Sequence, residues 1–382
     1  MSYARARLWL GISCVGTIVV LTSVLLAFKI PTKLLATNAN ASWSDVSGLL
    51  AVVFAYAFIS GPFDFFGGYI LPKEYKQSAI GFRSFIAAWF RGAFVHGVML
   101  IAVGLTLINS ARVGGFWSTF SAFTILNIVL CAAQSFLAKV IGSFKYASPD
   151  QETALLMSEL SGRRKLKVVV AEDANPFFTG GVCGLPGRER LVIPKRWLQV
   201  FSRAQLRAIL LRKQGVMSNG SRTRGLMLAF IWNLAGFCLG YLGSGNLTNV
   251  ADLVTFSLWF TLWSFVGLLV LPSPSQRGVF EGDAFVMNQG VGKDTLEMLI
   301  KDLDKGQDDE HARSEGVEKF FHPIPSVQRR LAFVNNPGSH ATGAWHSARM
   351  ALYLSWAGIS FLSRAVHCNC GRPDVWVFLP SD

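Results

Sequence analysis

The chain is poor in charge. Only 15% of its 382 residues are Asp, Glu, Lys or Arg, where a soluble domain carries about 25%. Acidic residues are the scarcer kind, 23 against 36 Lys and Arg, which leaves a formal net charge of +13. Cysteine is sparse and scattered. Cys14, Cys131 and Cys238 fall inside apolar runs, where a thiol packs as a small hydrophobe, and Cys183, Cys368 and Cys370 complete the six. No disulfide framework follows from that spacing. There is no internal repeat, no low-complexity tract and no Gly-rich phosphate loop, and the Gly-Val-Cys-Gly-Leu segment at 181–185 is not a G-x-S-x-G nucleophile elbow. A disordered chain is excluded by 51% hydrophobic residues, with 30 Phe and 11 Trp. A mean hydropathy of +0.39 argues equally against a simple soluble enzyme.

What is abundant is apolar length. About 20 apolar residues cross a bilayer, and runs of that kind occupy 8–28, 48–71, 84–108, 116–141, 226–242 and 251–271. The first follows Arg5 and Arg7 but has no small-residue cleavage site after it, so it reads as a retained anchor. The second is interrupted by Gly61 and Pro62. A weaker stretch, 350–366, is only marginally long and carries Arg364, which makes it an amphipathic or buried helix before it is a seventh span. These runs predict a mainly α membrane protein of about six transmembrane helices.

The basic surplus belongs to loops, not to a nucleic-acid surface, because Lys and Arg collect on the cytoplasmic side of membrane proteins. An inside N-terminus puts Arg5, Arg7, Lys73, Lys76 and Arg83 in the cytoplasm, and leaves Lys29, Lys33 and Arg112 outside. The sequons Asn40-Ala41-Ser42 and Asn246-Leu247-Thr248 then face outward. The expected location is a bacterial inner membrane, with N-terminus and soluble segments cytoplasmic.

The polar segments have an order of their own. A helical pattern at 151–160 precedes a β-rich run at 166–171, a turn and edge strand at 175–184, and a strand at 191–193 ended by Pro194. Ser202 caps a helix over 203–216, whose apolar stripe of Leu206, Ile209 and Leu210 is broken by Lys213. Beyond the sixth run come helical patterns at 277–289 and 293–303, and then an acidic loop at 307–315.

This order resembles the integral-membrane zinc metallopeptidases of the HtpX and CAAX prenyl protease type. Asn175 to Gly181, NPFFTGG, is similar to the turn that leads into that family's substrate-holding edge strand, which assigns Phe178, Thr179, Gly180 and Gly181 to it. FSRAQLRAILLRKQGV from Phe201 to Val216 matches the family's L-s-x-x-E-l-x-A-V-L-A-H-E-x-G-H helix at Ser202, Leu206, Ala208, Ile209, Leu210 and Gly215. Val279 to Asp283 stands where the family has E-[YF]-x-A-D. Pro325, Ser326, Arg330 and Leu331 fit its H-P-[PS]-x-x-x-R-[IL] segment, with Ile324 in the His position. The resemblance covers roughly 150–332. It implies a small α+β gluzincin-like cytoplasmic domain beside the spans. The resulting units are a four-span domain (1–145), a metallopeptidase-like segment (146–225), a two-span hairpin (226–271), the second part of the metallopeptidase-like domain (272–345), and a C-terminal helix and tail (346–382).

The departures decide the chemistry. HExxH binds zinc through two His four apart on one helical face, with the Glu as base. Those positions hold Arg212, Lys213 and Val216, and the third ligand falls on Val279. Neither guanidinium nor isopropyl can ligate a metal. The implied function is a non-catalytic homologue, a pseudopeptidase without cofactor. It would bind extended polypeptide by strand addition, or regulate a membrane protein or a partner protease. The alternative is an active zinc metalloendopeptidase with a displaced metal site. A transporter needs more intramembrane charge than Asp64, Arg91 and His96. His96 reads as a core histidine, and His367-Cys368-Asn369-Cys370 lacks a second ligand pair. Asp283 matches the carboxylate that orients a zinc-binding His in the family. With no zinc ligand beside it, it needs another cation, and Arg212 is the expected partner. Lys213, about 100° further round the helix, is expected to face Glu172 or solvent.

Overall fold

In a bilayer the backbone must satisfy its own hydrogen bonds, and the apolar runs do so as helices. The computed structural model describes residues 1–35, 42–78, 80–160, 167–172, 178–305, 307, 310–338 and 342–378. The sequon at Asn40, together with Leu166, Asp173 and Asn175, lies outside them. Helix α1 (Tyr3–Ala27) is capped by the Ser2 side chain and followed by the short α2 (Ile30–Leu35). Helix α3 (Ser42–Phe65) passes through a π turn at Phe66–Ile70 into α4 (Leu71–Glu74).

Helix α5 (Phe82–Gly142) has 61 residues. At 1.5 Å per residue that is about 90 Å, three times a bilayer core. It is not one rod. Gly114 (φ −146°, ψ 22°) and Gly115 (φ 58°, ψ −142°) break it, and Arg91 Nε and Nη2 donate to Ile141 O at 3.3 Å from the other arm. The two arms are therefore antiparallel, and the third and fourth apolar runs form a hairpin turned on two glycines. Gly115 takes a conformation close to the region only glycine enters readily.

The polar part begins with β1 (Lys145–Ala147) and α6 (Gln151–Leu160), then β2 (Lys167–Glu172), β3 (Gly181–Cys183) and β4 (Arg190–Pro194). The sheet order is β1-β2-β4-β3, with β2 parallel to β4 and both outer strands antiparallel. The first strand was not legible in the sequence. Gly187, at φ 84°, sits in the connection from β3 to β4. Two helices follow, α7 (Trp197–Val200) and α8 (Arg203–Ser218).

Helices α9 (Ser221–Ser244) and α10 (Val250–Val270) are the remaining apolar runs. Among the described residues five helices are long and apolar enough to cross a membrane. Phe54, Phe58, Phe90, Phe94, Trp117 and Leu242 stand exposed on them, as lipid-facing side chains do, and the protein is a membrane protein. At one end of the bundle Arg112 pairs with Asp45 (2.7 and 3.2 Å) and donates to Thr248 O (2.7 Å), joining the α5 bend, the start of α3 and the α9–α10 turn. At the other, Arg5 meets Glu310 at 3.2 Å.

The chain returns to the polar side as α11 (Pro272–Asn288), α12 (Lys293–Lys305), α13 (Glu315–Phe321) and α14 (Val327–Asn335). Apolar residues on α8, α11, α12 and α14 make its core, with Val216, Val279, Val286, Leu296 and Ile300 fully covered. The stretch at 350–366 is not one helix. Helix α15 (Ser347–Leu354) ends in a 3-10 turn at Ser355–Gly358, and a buried tail continues inside the bundle. A buried ion pair holds it: Arg364 Nη2 lies 2.8 Å from Asp64 Oδ2, which also accepts from Trp89 Nε1. Gly371 N donates to Oδ1 at 2.7 Å.

Candidate functional site

Helix α8 starts on a capping box: Ser202 Oγ accepts from Gln205 N, and Gln205 Oε1 accepts from Ser202 N. Its far half lies against α11. The approach is close because both helices carry glycine there. A Cβ on Gly215 would come 2.7 Å from the Phe285 ring, and one on Gly282 would sit 3.3 Å from Val216 Cγ1. Residues four apart share a helical face. Arg212 and Val216 on α8 thus meet Val279 and Asp283 on α11, in one buried interface.

Asp283 is 0% exposed, and two arginines close on it. Arg330, on α14, donates Nε to Oδ2 at 2.9 Å and Nη2 to Oδ1 at 2.8 Å, a two-point fork. Arg212 Nε lies 2.8 Å from Oδ1, an ion-pair contact without an aligned hydrogen bond. Sequence reasoning matched Arg330 to the family pattern and gave it no role here. Its two good bonds make it the principal partner, because α14 brings its planar fork face-on to the carboxylate.

Lys213 does not reach solvent. It is buried, with Nζ 5.1 Å above the Trp345 ring, and Glu172 is engaged by Lys195 at the end of β2. The cation–aromatic contact replaces water as its surroundings. Glu281 also points away from Asp283: it takes Arg224 Nη2 (2.8 Å) and the Gly343 N–H. Pro325 is buried just ahead of α14, and Ser326 stands at that helix's N-cap.

Zinc does not fit these residues. Arg212 offers a guanidinium, Val216 and Val279 isopropyl groups and Lys213 an ammonium, none of which can ligate zinc. Among the described residues no three His, Cys, Asp or Glu side chains gather so as to hold a metal ion. His96 lies among the Trp356, Trp376 and Tyr56 rings. The His322 ring lies 4.9 Å from that of His367, tilted by 53°, and the His322 carbonyl accepts from Gln276 Nε2 at 2.7 Å.

The strand β3 is the sheet's outer strand, as the sequence suggested, but it spans only 181–183. Of the four residues assigned to it, Gly181 alone lies in the strand. Gly180 precedes it at φ 67°, where a Cβ would sit 2.2 Å from Val192 O. That close approach to β4 consumes the start of the segment. The Phe178 ring is buried at 4.4 Å from that of Phe144. The three strand residues are all buried. Gly180 to Val182 share a small hollow with His346, Tyr353, Val377 and Phe378. Gln134 Nε2 donates to Val377 O at 3.1 Å and pins the tail there. Burial pushes the Cys183 thiol up to about 11.

No protein-family model matches the chain, and no curated protein matches it either. Its fold does have a solved counterpart. It is similar to the crystal structure of S. mikatae Ste24p, with a TM-score of 0.63 over 80% of this chain and 78% of that one, at 13% sequence identity. At that identity the likeness is one of fold.

Proposed function

We propose that this membrane protein is a non-catalytic metallopeptidase homologue, a pseudopeptidase, whose work is binding rather than hydrolysis. The Ste24p-like fold supports the coarse part of that reading, a membrane metallopeptidase homologue. One observation carries the finer part: where a hydrolytic zinc site needs ligands and a base, two guanidiniums close on Asp283. A cation supplied by the chain itself satisfies the carboxylate that would otherwise be buried alone.

The partner class is extended polypeptide or a membrane protein, including a partner protease. The edge of β3 is the pairing surface, and Val377 and Phe378 of the tail line a small hollow beside it. We place the N-terminus and the polar part in the cytoplasm, with six crossings counting the two arms of α5, in a bacterial inner membrane.

Metal analysis of the purified protein tests the reading, run beside a proteolysis assay with added zinc. The expected result is zinc well below one per chain and no cleavage above background. Stoichiometric zinc with zinc-dependent cleavage overturns it in favour of an active enzyme with a displaced site.

A further inference from the structure

Where α1 leaves the bundle, α1, α2, α3 and α10 wall an apolar cavity of about 300 Å³. Ile18, Leu21 and Leu25 line it on α1, Val52 and Ile59 on α3, and Leu258 on α10. Of its sixteen lining residues only Thr22 and Tyr56 carry a polar side-chain atom, and none is charged. Water needs two to four polar partners, so the fitting occupant is hydrocarbon. Leu34 and Ala55 also line the cavity and are exposed, so it opens sideways toward lipid.

Its depth follows from α1. From Tyr3 to Ala27 that helix rises about 36 Å, against about 30 Å of hydrocarbon core. Helix α2 follows at once, so it lies at the far boundary of the bilayer, on the end where Arg112 meets Asp45. The lining from Leu25 back to Ile18 carries the cavity about 10 Å inward.

Helix α2 divides by face. Ile30 and Leu34 are four apart, as are Pro31 and Leu35, and both pairs line the cavity. Lys29 and Lys33 are the next such pair. Lys33 N donates to Lys29 O at 3.3 Å, which puts them on one turn, and both are exposed. No acid answers them. Asp45 is taken by Arg112 at 2.7 Å, and Asp252 Oδ2 accepts from Asn249 Nδ2 at 2.8 Å. Among the described residues neither lysine forms an ion pair. The linker 36–41 contains only Ala, Thr and Asn, neither an acid nor a large apolar side chain.

We propose that this cavity holds one acyl chain of an anionic phospholipid from the leaflet at the α2 end, with its phosphate at Lys29 and Lys33. The headgroup stays in the interface, where each nearby lysine attracts it, and the cavity has to admit the chain alone. A zwitterionic lipid carries its own cation and gains nothing from the two ammoniums. The site does not depend on the peptidase-like reading, and zinc in the protein would leave it standing.

The test uses the full chain in nanodiscs of phosphatidylcholine, with and without a minor fraction of phosphatidylglycerol. Phosphatidylglycerol should raise the thermal midpoint and remain bound, about one per chain, by native mass spectrometry. Glycerol 3-phosphate, a headgroup without chains, should do neither. Ala55→Trp fills the cavity from its exposed mouth and should abolish retention. Lys33→Gln should weaken retention about fivefold, and Lys29→Gln added to it about fivefold again, with the midpoint in phosphatidylcholine alone unchanged. Equal retention of both lipids, stabilisation by glycerol 3-phosphate, or undiminished retention in Ala55→Trp or in the double lysine variant overturns the proposal. If Ala55→Trp does not fold, the double lysine variant decides it.

Discussion

Two arginines on one buried aspartate make an unequal pair. Arg330 holds both carboxylate oxygens of Asp283 with aligned bonds, whereas Arg212 Nε, 2.8 Å from Oδ1, makes no aligned one. Removing Arg330 breaks the fork of a buried pair and should cost about 3–5 kcal/mol. Arg212→Ala leaves the carboxylate paired, so its cost should be smaller, about 0.5–3 kcal/mol, the ordinary range for a single substitution. Thermal or denaturant unfolding of the two variants checks the order, and a larger loss for Arg212→Ala would reverse the assignment. Cys183 gives a pH-dependent readout. An ordinary thiol titrates near 8.5, and in the folded chain burial holds this one to about 11. Between those values the unfolded chain has lost its proton and the folded chain has kept it. The thiol's contribution to stability is thus full below about 8.5 and is lost as pH rises toward about 11. Alkylation of Cys183 by iodoacetamide at pH 8 should stay at background until the protein is denatured.

At the level of elements, glycine decides where helices turn and where they touch. The α5 hairpin depends on Gly115, whose backbone angles exclude a branched side chain. Gly115→Val should destabilise the membrane part by about 1–3 kcal/mol. The measurement is the thermal midpoint, together with crosslinking of cysteines placed at 91 and 141, whose yield should fall as the arms lose register. The helices were legible in the sequence because a 20-residue apolar run and a capping box at Ser202 and Gln205 are local signals. Strand β1 and the short span of β3 were not. Three residues carry too little pattern to reveal a strand, and only pairing with β2 and β4 defines them.

At the scale of the whole molecule, the tail and the sidedness of the bundle are linked. Arg364 and Asp64 lie 300 residues apart in sequence and pair at 2.8 Å inside the bundle. An intramembrane charge without its partner is costly, so Arg364→Ala should lower the thermal midpoint sharply, by a loss of about 3–5 kcal/mol. Arg364→Lys keeps the charge without the planar guanidinium, which lies 4.1 Å from the Trp376 ring centroid, and should recover part of it. Polar ends separate cleanly: Arg112, Asp45 and Thr248 meet at one end, and Arg5 and Glu310 at the other. An impermeant maleimide added to intact cells should label Asn246→Cys and spare Lys293→Cys. The opposite pattern would invert the orientation.

The sequence alone determined the membrane character, the apolar runs and the helix that carries Arg212. Each of these is written in composition or in spacing along one element. Tertiary structure alone decided which cation takes Asp283, that Lys213 is buried over Trp345, that Gln134 holds the tail at Val377, and that 350–366 folds as a short helix and a buried tail rather than a span. The physical reason is the same in each case. Burial, ion pairing and strand pairing are contacts between segments far apart in the chain, and the local pattern of either segment does not contain the other.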